Sequence, residues 1–332
     1  MNFEKAVEKN FSGCISINNN GTVLFQKGYG YADFSNKVCN ELNTKFATAS
    51  AGKVFVAVGI LQLVEKGILK LDDSIGSILD FDLKAIDKHI TIKQLLCHTS
   101  GIPDYFDESV MTEYADLWMD YPNYRIRTSS DLIPLFIDKP MMYPAGERFQ
   151  YNNTGYVVLG LIIEKVTSQL FDVFLQKNVF EPCGMFDTGY YELDRLPEKC
   201  ANSYIYDQRR KEFYTNIYSV DVKGTGAGGA FTTIFDIDRF WANLLGGKLI
   251  SHKILKEMIS VQSSTESEYY GYGIWLEKID EDMFFPYFQG CDPGVSFISA
   301  YNLATKTSIT AISNFGCNVW KLKRSLEKII GG

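Results

Sequence analysis

Histidine is nearly missing from this chain, with three in 332 residues, at positions 89, 98 and 252. That argues against a histidine-rich metal centre and leaves a Ser-His-Asp triad few places to start. The seven cysteines (Cys14, Cys39, Cys97, Cys183, Cys200, Cys291 and Cys317) are odd in number and widely spaced. No C-x-x-C pair occurs, so neither a zinc knuckle nor a dithiol redox motif is indicated. Scattered reduced thiols fit a cytosolic protein, and a cytoplasmic location is the expectation. Basic residues are not in excess: 33 Lys and Arg against 40 Asp and Glu leave a net charge of −7. A nucleic-acid partner would want a basic face and is not expected. Long apolar runs are also lacking. The longest, Val54 to Leu61, falls far short of the ~20 residues of a membrane helix. The first nine residues are charged and do not read as a secretory signal.

What remains is a globular composition, 46% hydrophobic and 22% charged, in a chain long enough to bury about three quarters of its unfolded surface. Two alternating segments, Cys14 to Ile17 and Val23 to Phe25, flank Asn18-Asn19-Asn20-Gly21 and predict a hairpin. Residues 50–66 predict a helix that is apolar nearly all round, hence buried, and stopped by Gly67. Thr91-Ile92-Lys93-Gln94 reads as a capping box opening a short helix that Gly101 closes. Residues 154–167 and 236–245 predict two more helices. Short strands are expected around 272–275, 284–288, 295–298 and 308–312, before a closing helix at 321–330. Strands at both ends with helices between them imply a discontinuous α/β domain, residues 1–70 and 215–332, and a mostly helical domain, 71–214.

Ser50-Ala51-Gly52-Lys53 carries the first chemistry. At helical spacing, Ser50 and Lys53 share a face. A serine hydroxyl needs a base to take its proton, and burial lets a lysine act as one by favouring the neutral amine. The bland alternative is a capping serine and a lysine that snorkels to solvent. The second constellation is Tyr151-Asn152-Asn153. In extended chain Tyr151 and Asn153 point the same way. A phenol beside an ammonium is expected to ionise more easily and could shuttle a proton. Asn153 could hold a substrate amide, steady the lysine, or merely cap the next helix. His98 with Asp104 could be proposed as part of a triad, but a histidine at a helix end is expected to bond carbonyls instead. The acidic, aromatic stretch 104–124 is expected to wall the cleft.

Ser50-x-x-Lys53 followed by Tyr151-x-Asn153 resembles the serine β-lactamase and penicillin-binding protein superfamily, in its class C β-lactamase and D-Ala-D-Ala carboxypeptidase branch. Leu95-Leu96-Cys97-His98-Thr99-Ser100-Gly101, Tyr143-Pro144-Ala145-Gly146-Glu147 and Ala227-Gly228-Gly229 are similar to that family too, from about residue 12 to about 315. The resemblance implies an α+β fold, an antiparallel sheet flanked by helices with a mostly helical second domain. It implies a metal-free, cofactor-free attack by Ser50 on an amide, lactam or ester of a small molecule or peptide. Backbone N–H groups of Ser50 and Cys291 would form the oxyanion hole. The family's third motif, Lys or His, any residue, then Gly, falls on Phe288-Gln289-Gly290, which are expected to bind substrate. Phe288 stands where the cation belongs, and Arg148 or Lys223 would have to replace it. The alternative reading is a binding or sensor domain without turnover.

Overall fold

The computed structural model describes residues 1–331. Strands β1 (Gly13–Asn19) and β2 (Thr22–Tyr29) form the expected hairpin. Asn20 and Gly21 turn it with φ of +47° and +87°, the backbone that a twisted two-residue hairpin requires. Helix α1 spans Lys53–Glu65 and is preceded by a tighter 3-10 turn, Ala49–Gly52, that carries Ser50. Eleven of the thirteen α1 residues are buried, so the all-round apolar sequence packs on every side.

Helix α2 (Ile92–Leu96) opens on the Thr91–Gln94 capping box as expected. It ends earlier than Gly101, because His98 itself takes the left-handed conformation at φ +57°. Helix α3 spans Asn153–Thr167, and its N-cap is Asn152, whose side chain accepts from the Gly155 N–H. Asn153 is thereby released from capping. Helix α4 (Ile234–Leu245) follows the Thr233 cap.

Six C-terminal strands follow: β3 (Ser263–Ser264), β4 (Tyr269–Tyr270), β5 (Trp275–Asp280), β6 (Met283–Asp292), β7 (Val295–Asn302) and β8 (Thr307–Ser313). Helix α5 (Val319–Gly331) closes the chain. The eight strands make one antiparallel sheet in the order β2-β1-β8-β7-β6-β5-β4-β3. The first and last strands of the sequence pair one strand in from the β2 edge, with Ile15 opposite Ala311. One face, with Ile15, Ile17, Ile298 and Ile309, packs on α5 through Leu322 and Leu326. The other face packs on α4, where the Trp241 indole N–H donates to Ser299 Oγ at 2.8 Å. All eight strands come from residues 1–70 and 215–332, and we propose that two-part division of the chain. Among the described residues no helix is long and apolar enough to cross a membrane.

Candidate active site

The site forms where the 3-10 turn, α3 and β6 converge. Ala49, just before the serine, has φ +48°, an uncommon conformation for a residue with a side chain. It is fixed from both sides: Thr48 N–H donates to the Ala230 carbonyl at 2.8 Å and Gly229 N–H to the Ala49 carbonyl at 3.0 Å. Gly228 must lack a side chain, since a Cβ there would lie 2.4 Å from the Ala49 oxygen. The turn presents Ser50, half-buried, at the mouth of a cleft of about 720 Å³.

Lys53 lies behind it, 2% exposed. Its Nζ donates to Ser50 Oγ at 2.9 Å, to Asn153 Oδ1 at 2.8 Å and to the Ala227 carbonyl at 2.6 Å. Three donors thus meet three acceptors. Burial nevertheless dominates, and it pulls the amine down to about 8, partly offset by Glu108 and Asp104. The snorkelling alternative does not describe this lysine. Asn153 is held in turn: its Nδ2 donates to the Phe106 carbonyl at 3.1 Å and to Glu108 Oε1 at 3.2 Å.

Tyr151 joins the same cluster, its ring centre 4.9 Å from Lys53 Nζ. Its ring stacks on Trp275 at 5.8 Å. The expected easy ionisation is corrected. Burial, followed by the nearby Glu108, drives the phenol well above its ordinary range, and the hydrogen bond with Ser50 only partly opposes this. Tyr151 is therefore a neutral hydroxyl here.

Strand β6 passes edge-on to the turn. A Cβ on Gly290 would lie 2.1 Å from the Thr48 oxygen, 2.7 Å from Ala51 N and 2.8 Å from Ser50 N. Only glycine permits this approach, and it brings the next residue, Cys291, to the rim of the cleft. The other two residues of the expected substrate-binding trio are corrected. Phe288 is 3% exposed and packs among Phe55, Phe240, Trp241 and Phe297. Gln289 lies on the opposite side of the strand and accepts from the Trp320 indole N–H. Strand alternation sends one side chain into the core and the other toward α5, so neither lines the cleft.

Neither suggested replacement cation reaches the site. Arg148 pairs with Glu147 at 2.7 Å over the Tyr143 ring, and Lys223 pairs with Asp172 at 2.6 Å. His98 is not a triad member. Its Nδ1 accepts from the Asn152 N–H at 3.1 Å rather than bonding a helix-end carbonyl. Asp104 instead caps α3, accepting from Asn153 N at 2.8 Å and Thr154 N at 3.0 Å.

The sequence reading missed several groups. The Ala227 carbonyl carried no side-chain signal. Glu108 is one acid among several in the acidic stretch. Asp292 is part of a turn sequence, and Asp221 belongs to no motif. All three acids line the cleft with Tyr105, Phe106 and Tyr114, so the stretch from 104 does form a wall. Among the described residues no group of three His, Cys, Asp or Glu is placed to hold a metal ion.

This architecture is that of the penicillin-binding proteins and serine β-lactamases. A penicillin-binding protein from Bacillus halodurans superposes with a TM-score of 0.95 at 34% identity, over 99% of this chain and 100% of that one. The chain belongs to the beta-lactamase family, whose pattern matches residues 3–315. A penicillin-binding protein of Bacillus subtilis (strain 168) is 28% identical over 94% of this chain and 70% of its own length. A D-amino acid amidase from Ochrobactrum anthropi shares the fold, with a TM-score of 0.80 at 23% identity, over 99% of this chain and 97% of that one. Members of the superfamily are serine hydrolases.

Proposed function

We propose that this chain is an acyl-transfer hydrolase that works through an ester on Ser50. The observation that carries this reading is the 2.9 Å contact between Ser50 Oγ and a buried Lys53 whose pKa is drawn down to about 8. At pH 7 such an amine is neutral about a tenth of the time, against about one part in a few thousand for an ordinary lysine. The neutral amine takes the Ser50 proton as Oγ bonds to the substrate carbonyl carbon. The carbonyl electrons move to oxygen, and the backbone N–H groups of Ser50 and Cys291 hold that oxyanion. As the oxyanion collapses, the bond to the leaving group breaks. Tyr151, a neutral hydroxyl between the ammonium and the leaving group, passes a proton outward and is reprotonated by Lys53. Water then attacks the acyl carbon, Lys53 and Tyr151 take its proton, and Ser50 leaves with one restored.

Amide or ester hydrolysis fits the site better than β-lactam hydrolysis or carboxypeptidase action. A charged bond to a substrate carboxylate contributes about 1.5–3 kcal/mol, and Phe288 in the core supplies none. Labelling tests this reading. A fluorophosphonate is expected to label wild type and spare Ser50→Ala, while a fluorescent penicillin labels weakly. Labelling by neither reagent would overturn the assignment of the nucleophile. The second reading, a binding or sensor domain, is favoured only by Phe288. It requires p-nitrophenyl ester turnover no faster than Ser50→Ala.

A further inference from the structure

The cleft beside Ser50 is charged on one side of the ledger only. Its lining includes Glu108, Glu113, Asp221 and Asp292 and, among the described residues, no lysine, arginine or histidine. Two of these acids are already engaged. Asp221 accepts from the Tyr114 hydroxyl at 2.8 Å, and Glu108 from Asn153 Nδ2 at 3.2 Å. Asp292 has no side-chain hydrogen bond or ion pair among the described residues. It follows Gly290 by two positions on β6, so its side chain leaves the strand on the face that touches Ser50 N. Asp292 is half-buried in the cleft wall, and its neighbours Asp221 and Glu108 reinforce desolvation in pushing its carboxyl up to about 8. Lys53, the nearest ammonium, already donates to three acceptors. An unpaired carboxylate in such a place is costly unless a cation completes it.

We infer that the substrate carries a protonated aliphatic amine, which Asp292 binds with help from Glu108 and Asp221 while Ser50 attacks the neighbouring carbonyl. This rests on the hydrolase reading above and names its substrate class: small amino-acyl amides or esters with a free amine. The aromatic rings of Tyr105, Phe106 and Tyr114 on the same wall suit an ammonium as well as the carboxylates do. An anionic substrate would instead face an acidic wall that holds no cation among the described residues.

The test compares p-nitroanilides of alanine, in both D and L forms, with a free amine, an N-acetyl group or an N-succinyl group. At pH 7 and low salt the free amine should exceed N-acetyl in kcat/KM by about tenfold or more, and N-succinyl should be slowest. High salt and Asp292→Asn should each shrink the ratio of free amine to N-acetyl. A ratio of one or less in wild type overturns the inference, as does a ratio that Asp292→Asn leaves unchanged. If no anilide is cleaved, protection is read instead. Alaninamide should slow fluorophosphonate labelling of Ser50 where N-acetylalaninamide does not, and equal protection, or none, overturns the inference. These failures are distinct from failure of the hydrolase reading, which is the absence of fluorophosphonate labelling at Ser50.

Discussion

Lys53 Nζ and Asn153 Oδ1 lie 2.8 Å apart although a hundred residues separate them in the chain. The contact ties the helix that follows Ser50 to the first turn of α3. It also gives the ammonium form of Lys53 an acceptor that the neutral amine needs less.

The pH dependence of acylation follows from Lys53. Its pKa is lowered to about 8, and in the proposed mechanism the active form is the deprotonated one. Activity on an uncharged ester is therefore expected to rise with pH and level off above about 8, lying roughly 100-fold below the plateau at pH 6. Lys53→Ala should cost about 10²–10⁴ in acylation rate. Stopped-flow kinetics with a p-nitrophenyl ester checks both statements.

Asn153 offers a test with opposite signs. Asn153→Asp places a carboxylate beside Lys53, stabilises the ammonium and should move the pH profile alkaline, slowing turnover at pH 7 by about tenfold or more. Asn153→Ala removes an acceptor, so the profile should move toward acid while the rate falls through lost positioning. An unmoved profile in both variants would show that Lys53 is not the titrating base.

Gly290 cannot accept a side chain without displacing the backbone of Thr48, Ser50 or Ala51. Gly290→Ala is expected to lower kcat by about 10²–10³ through the oxyanion donors and stability by about 1–3 kcal/mol. Pre-steady-state acylation and urea unfolding separate the two losses.

Phe288 is a core residue, and its truncation should behave as one. Phe288→Ala is expected to cost about 3–5 kcal/mol of stability, while the folded fraction still labels with fluorophosphonate. Placing lysine there should destabilise more strongly without improving penicillin labelling, because the new ammonium would sit among Phe55, Phe240, Trp241 and Phe297. Denaturant melts with gel-based labelling decide it.

Three desolvated aspartates should each contribute less stability as pH rises. Asp104 and Asp221 are raised to about 6 and Asp292 to about 8, all by burial first, against about 3.9 for an unfolded aspartate. A raised pKa means that the folded state holds the proton more tightly. The stabilisation is fully present below about pH 4 and is lost as pH rises through 6 and then 8. Asp292→Asn should remove the last step and make the protein more stable than wild type at pH 9 by about 1–3 kcal/mol. Thermal melts from pH 4 to 9 read the difference.

Local pattern made much of this molecule legible. The Asn20-Gly21 hairpin, the Thr91–Gln94 capping box and the all-round apolar α1 each follow from a few adjacent residues, because turn chemistry, caps and hydrophobic periodicity act over short spans. Ser50 and Lys53 could be paired for the same reason, since one helical turn joins them. Tyr151 and Asn153 could be attached to them only through the family resemblance. The tertiary structure alone decided the rest. Tyr151 ionises less readily, not more, because desolvation depends on what packs around the ring. Phe288 and Gln289 leave opposite faces of β6, and neither reaches the cleft that Gly290 borders. Glu108, Asp221 and Asp292 come from segments far apart in the chain, and no spacing rule foretells that they would surround one serine. Sequence thus determined that a serine and a lysine stand one helical turn apart at the start of a buried helix. The charge of the space in front of them is a property of the folded chain, because electrostatics acts through distance in space.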